Sequence, residues 1–152
     1  MEKQQHIGYI ANGINLDHIP HGRAFYIMQV LNLAKLDKQV GIGLNLPSKK
    51  LGHKDLIKVE DYNLNLQQLE AISLFAHGAT LSIIKNFEVI EKMELRLPNQ
   101  IEDLIICPNN RCVSKLHRSK FSTFTDRQNK TCVKCHYCEQ EFLLDNIKNY
   151  KI

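Results

Sequence analysis

All five cysteines of this 152-residue chain fall between positions 107 and 138. They form two short groups, Cys107-Pro108-Asn109-Asn110-Arg111-Cys112 and Cys132-Val133-Lys134-Cys135-His136-Tyr137-Cys138. Two loops that each present a pair of thiolates can surround one tetrahedral Zn2+. Cysteines serving only as small apolar core filler would not need such paired spacing. The segment from Asn99 onward is near the size at which an apolar core alone seldom suffices and a metal staple is common. The pattern therefore predicts a small C-terminal module pinned by zinc.

Two pairings compete, because Cys132-x-x-Cys135 and Cys135-x-x-Cys138 share one spacing. The second is favoured. Cys138 leads into a strand-like run, as a metal-knuckle hairpin requires, and the first pairing would force β-branched Val133 into the tight turn. The expected ligands are Cys107, Cys112, Cys135 and Cys138, with Cys132 a spare buried thiol and His136 exposed. Four thiolates around one Zn2+ per chain leave no open position, which marks a structural site.

The first hundred residues hold no cysteine and read as a separate unit. Leu97-Pro98-Asn99 is a reasonable linker, giving expected domains 1–98 and 99–152. A hydrophobic content of 43% excludes disorder. No apolar run approaches membrane-spanning length, and Met1 to Gln5 lack a signal peptide's apolar stretch. A cytoplasmic protein with reduced thiols is expected.

Gln5 to Ile19 reads as a first extended segment, and Pro20 turns Ile19 away from helix. Within Gly22 to Leu36, Phe25, Met28 and Leu31, with Val30 and Leu33 beside them, recur at helical spacing. In Gln39 to Leu46, Val40, Ile42, Leu44 and Leu46 alternate as the core face of a strand. A turn at Pro47 to Lys50 leads to a strand over Lys54 to Glu60. Asn65 is the expected N-cap of a helix over Leu66 to Ala76, which His77-Gly78 stops. Strands follow over Ala79 to Lys85 and Phe87 to Glu91. Strand, helix, strand, strand, helix, strand, with one strand added, is the order of an α+β, ferredoxin-like sandwich. Beyond the linker, strands are expected over Glu102 to Ile106, Phe121 to Thr125, Lys130 to Val133 and Glu141 to Leu144, a small metal-pinned β-module.

Little points to catalysis. No paired carboxylates or nucleophile–base arrangement stands out, and neither a Walker-type loop nor GxGxxG is present. Lys54 and Lys58 share one strand face about 13 Å apart, too far for one phosphate but suited to a longer polyphosphorylated ligand. The net charge of +4 raises a different class, a zinc-ribbon nucleic-acid-binding protein. Residues 99–152 carry nine Lys and Arg against six Asp and Glu. Against it, four thiolates and one Zn2+ would halve the net charge, and no basic stripe interleaved with aromatics exists.

Taken together, Asp17-His18-Ile19-Pro20, Ile42-Gly43-Leu44-Asn45-Leu46-Pro47-Ser48, Lys54-Asp55-Leu56-Ile57-Lys58, Cys107-Pro108-Asn109 with Cys112, and Cys135 with Tyr137-Cys138-Glu139 carry a resemblance. In this order and spacing the chain resembles the regulatory chain of bacterial aspartate carbamoyltransferase over essentially its whole length. The resemblance implies a non-catalytic chain with an N-terminal allosteric domain that binds ATP and CTP at one site and dimerises. It also implies a rubredoxin-like C-terminal zinc domain that contacts the catalytic chain, in a dodecamer of two catalytic trimers and three regulatory dimers. Neither nucleic acid nor membrane is an expected partner. Carried over by position, Asp17 and Lys58 would meet ribose and base, and His18 and Lys92 the triphosphate. Lys54 would line the pocket, with Ile10, Ile84 and Val89 around the base. The family's best-known members differ at several of these places. They have an acidic residue and alanine for Gly8-Tyr9, asparagine for Ser82 and tyrosine for Phe87.

Overall fold

The computed structural model describes residues 9–151. Its backbone divides into two compact units, one ending at Arg96 and the other beginning at Leu97. In the first, β1 (Gly13–Pro20), α1 (Ala24–Val30), β2 (Val40–Ser48), β3 (Gly52–Glu60), α2 (Leu66–Phe75), β4 (Thr80–Lys85) and β5 (Glu88–Glu94) follow in order. They build a five-stranded sheet in the order β2-β3-β1-β4-β5, antiparallel at every pairing. Removing β5 leaves the ferredoxin-like arrangement expected from the element order.

Alternation along β1 divides the sheet into two faces. Ile14 pairs with Val59 and Ile83, and Leu16 with Ile57 and Leu81. Ile14, Leu16, Ile57, Val59 and Leu81 are all buried, as are Ala24, Ile27, Ala71, Ile72, Leu74 and Phe75 of the helices. Tyr26 of α1 stacks on Phe75 of α2, ring centroids 5.2 Å apart. α2 starts in a reciprocal capping box, Asn65 accepting from the Gln68 N–H and Gln68 from the Asn65 N–H.

Three local expectations are corrected. The buried face of α1 is Ala24, Ile27 and Val30, so Phe25 lies on the outer side, 60% exposed. Leu31, Val30 and Leu33 are buried as expected, whereas Phe25 and Met28 are not, their places in the core being taken by Ala24 and Ile27. In β2, Val40 and Ile42 keep core register opposite Val59 and Ile57, but a shift between Gly43 and Leu46 puts Leu46 opposite Lys54. Asn45 takes a left-handed φ of 57° there, and Leu44 is left exposed. A β-bulge of this kind breaks the period of two. β2 and β3 also run further than expected, through Pro47-Ser48 and from Gly52, so the turn between them is shorter.

In the second unit, β6 (Gln100–Glu102), β7 (Lys120–Thr125), β8 (Thr131–Cys135) and β9 (Glu141–Leu143) form an antiparallel sheet in that order. The strand expected over Glu102 to Ile106 ends where it was to begin. Asp103 has φ 53°, and the chain turns so that Leu104 and Ile105 are buried without extending the sheet. Only an isolated bridge joins Ile105 to Tyr150. No helix among the described residues is long and apolar enough to cross a membrane.

Candidate functional site

Two constellations carry chemistry, one in each unit. In the second unit, the chain turns tightly after Cys107, with the Cys112 N–H donating to the Asn109 carbonyl and the Arg111 N–H to Asn109 Oδ1. Cys135 ends β8, and its carbonyl accepts from the Glu139 N–H while its own N–H donates to Gln140. Glu139 takes the left-handed φ of 59° that closes this second knuckle. The turns bring the sulfurs of Cys107, Cys112, Cys135 and Cys138 within 4.8 Å of one another. Sγ separations are 3.7 Å for Cys107 to Cys138 and 3.6 Å for Cys112 to Cys135. These are too long for disulfides, whose bond is about 2.05 Å.

Burial pushes the Cys107 and Cys135 thiols up. It also works against Cys112, but the Ser114 hydroxyl at 3.0 Å and the Ser114 N–H at 3.4 Å support its charged form and bring it down to about 7. A closed set of four sulfurs, three on buried cysteines and that of Cys138 on a half-buried one, with an aimed N–H donor is suited to hold a metal ion as thiolates. Cys132 stands outside the cluster. It is buried on β8 opposite Phe124 and Leu143, and burial raises its thiol. His136 is exposed.

In the first unit, the sheet face opposite the core is polar. Register aligns Lys58, Asn15, Ser82 and Lys92 in one row across β3, β1, β4 and β5. Asp17 lies further along the same face, paired with Thr80. Here β1 bulges, its register to β3 shifting between Leu16 and Ile19, and His18 takes φ 55°. The bulge re-aims two successive side chains. His18 Nδ1 lies 3.5 Å from Thr80 Oγ1, and Asp17 Oδ1 accepts from the His18 N–H at 2.6 Å. Lys54 Nζ is 2.7 Å from Asp17 Oδ1. Burial works to raise the Asp17 carboxyl, but Lys54 and the His18 N–H outweigh it and hold the group below its ordinary value.

On the side of the row away from Asp17, Ile84 pairs with both Gly13 and Val89. Val89 is 56% exposed, whereas Ile10 is buried and presents almost no surface. Lys58 Nζ lies 6.0 Å from the ring of exposed Tyr9. Asp17, Lys54 and His18 are thus gathered at one bulge, Lys58 and Lys92 bracket the central row, and Ile84 with Val89 forms an apolar end. Gly8 lies outside the described residues.

A family model described as aspartate carbamoyltransferase regulatory chain, allosteric domain, matches residues 5–96. A second, described as the metal binding domain of that chain, matches residues 99–148. The chain belongs to the aspartate carbamoyltransferase regulatory chain family. It is 41% identical to the regulatory chain of Tolumonas auensis over 93% of its own length and 92% of that relative. Against the Serratia marcescens chain identity is 42%, covering 86% and 85%. Against Vibrio parahaemolyticus it is 38%, covering 93% of each. Membership makes this a non-catalytic, regulatory subunit with an allosteric and a metal-binding domain. Sequence reading missed Asn15 and Thr80 on the polar face. Their signal was strand parity with Asp17 and Ser82, which becomes usable only once the cross-strand register is known.

Proposed function

We propose that this chain binds ATP and CTP on the polar sheet face of its first domain and transmits their presence to a catalytic chain of aspartate carbamoyltransferase in pyrimidine biosynthesis. The observation that carries the reading is the cross-sheet juxtaposition of cations, a carboxylate and an apolar end. Lys58 and Lys92 flank the row, Asp17 and His18 share a bulge beside Lys54, and Ile84 and Val89 offer a surface for a base. Asp17 held ionised by Lys54 is an acceptor matched to ribose hydroxyls, with Lys58 beside it. His18 and Lys92 suit a triphosphate, where charge-assisted hydrogen bonds are strongest. One site accepting two nucleotides gives opposite outcomes only if each binds the two quaternary states with different relative affinity.

The metal is zinc in this reading, one per chain. Four sulfurs at about 2.3 Å from a central Zn2+ stand about 3.8 Å apart, close to the 3.6 and 3.7 Å separations here. Zinc bound there supplies cross-linking and charge neutralisation, and no chemistry on a substrate. Residues 99–152 form the docking domain and 1–98 the effector domain. Beside the cysteines, Val113, Leu116 and Tyr137 expose apolar surface, Leu116 being 83% accessible; His117 stacks on Tyr137. A catalytic chain seated on these residues would cover them. The edge strand β2, with Leu44 exposed, suits pairing with a second copy, so that three dimers bridge two catalytic trimers in the cytoplasm.

The test mixes the zinc-loaded chain with catalytic trimers and follows assembly by light scattering and activity against aspartate. The expected result is a larger complex whose half-saturating aspartate concentration moves in opposite directions with ATP and CTP. Absence of any complex at micromolar concentrations overturns the reading, and salt-sensitive binding to DNA or RNA would replace it with a nucleic-acid function.

A further inference from the structure

We propose that His21 and His53 form a second metal site, in the first domain, for a divalent transition-metal ion of the imidazole-preferring class, Zn2+, Ni2+ or Cu2+. The pair lies on the face of the sheet opposite the nucleotide row, so neither site depends on the other. His53 and Asp55 share parity on β3 with the core residues Ile57 and Val59. Lys54, between them, turns to the polar face and pairs with Asp17. His21 stands in the turn between β1 and α1, where the Gly22 and Ala24 N–H groups donate to Asp55 Oδ2 at 3.0 and 3.3 Å. That anchorage brings His21 beside His53, with ring centroids 6.4 Å apart and ring planes tilted by 55°. Both histidines are exposed and open to an ion from solvent.

Asp55 supplies what two surface histidines ordinarily lack. Its buried Oδ1 accepts the Asn45 N–H at 2.9 Å, which leaves that oxygen one further lone pair. His21 Nδ1 faces the same oxygen at 3.8 Å. A carboxylate there favours the neutral ring with its proton on Nδ1 and leaves Nε2 bare as a ligand, the arrangement that orients metal-binding histidines. Two imidazoles on one tetrahedral ion, with metal–nitrogen distances near 2.0 Å, have ring centres about 5 Å apart. Rotation of the exposed His53 side chain closes the remaining gap without moving the core, and water fills the other positions. Nitrogen ligands select this class of ion over Mg2+ and Ca2+, which take oxygen. An ion held here clamps the turn into α1 to the start of β3, with its charge facing the buried carboxylate.

The probe is Ni2+, titrated into the full-length chain after its cysteine cluster has been loaded with Zn2+ and the excess dialysed away. Calorimetry should give one saturable Ni2+ event per chain. His21→Ala and His53→Ala should each weaken it roughly tenfold or more, the effect of losing one of two protein ligands. His77→Ala, at an exposed histidine outside the cluster, should leave it unchanged. Because the ion binds the folded chain, Ni2+ should raise the melting temperature of the parent and of neither cluster variant. In the parent, paramagnetic Ni2+ should broaden the imidazole resonances of His21 and His53 first. Broadening centred on other histidines, or no saturable binding at millimolar Ni2+, overturns the proposal without recourse to any variant. Undiminished binding in either cluster variant overturns it too, since the pair is then not the ligand set.

Discussion

The carboxylate of Asp17 is held between two opposing influences, burial and the cation of Lys54. Because its folded value lies below the ordinary one, protonation is resisted more in the folded state than in the unfolded chain. The stabilisation is present above the unfolded value of about 3.9 and is lost as pH falls through the lower folded value. Lys54→Met should therefore raise the Asp17 midpoint in an NMR titration and move the acid limit of stability upward. An unchanged midpoint would mean that the His18 N–H alone holds the charge. At this scale the sequence spoke unevenly. Thiol chemistry and spacing were enough to single out the four cysteines that the fold gathers. For Asp17 and His18, the residues were nameable from resemblance, but the bulge that turns both side chains was not. Asn15 left only its strand parity with Asp17, because its buried side-chain oxygen is orphaned among the described residues only once its neighbours are placed.

Among the elements, β3 is the spine of the first domain, and the buried Asp55 on it fastens two backbone segments. Its Oδ2 accepts from the Gly22 and Ala24 N–H groups, and its Oδ1 from the Asn45 N–H. It thereby secures the turn into α1 and the bulge of β2 together. Asp55→Ala would leave the buried Ala24 N–H without a partner and free the part-buried Gly22 and Asn45 N–H groups, and should cost about 2 kcal/mol, read as a lower denaturant midpoint. Asp55→Asn, which keeps an acceptor, should lose less. The entry to β1 is as intolerant for a steric reason. Gly13 has φ +139°, and a Cβ there would lie 2.0 Å from the Val59 carbonyl oxygen. Gly13→Ala should destabilise by at least about 2 kcal/mol, since backbone on both sides must move; a melting temperature within a degree of the parent would contradict that. Element order was legible because strand alternation, the Asn65 cap and the His77-Gly78 stop are local signals. What was not legible came from outside each element. The bulge that sends Leu44 outward depends on Asp55 receiving Asn45, ten residues away. The burial of Leu104 and Ile105 imitates a strand in sequence although Asp103 turns the backbone out of one.

For the whole molecule the question is how far the two domains depend on the same interactions. The first is built on an apolar core between a sheet and two helices, with no cluster of three or more metal-ligating side chains among its described residues. The second has a small core, in which Ile101, Phe121, Val133 and Ile147 are buried, and its four clustered thiols repel each other once ionised unless a cation joins them. Metal affinity there is folding free energy. Stripping the metal with a mercurial and a chelator should therefore loosen residues beyond about 97 while sparing those before. Hydrogen exchange should rise across β6 to β9 and stay low in β1, β3 and β4. On the proposed reading ATP binding should persist and association with the catalytic chain should be lost, because the surface proposed around Val113, Leu116 and Tyr137 depends on the two cysteine turns. Substitution gives the same contrast without a reagent. Cys138→Ser should release the metal and open the second domain, whereas Cys132→Ser should keep both metal and assembly. If Cys132→Ser loses the metal, the ligand set is wrong. If the metal-free chain still binds catalytic trimers, the turns do not hold the docking surface and contact must be made elsewhere.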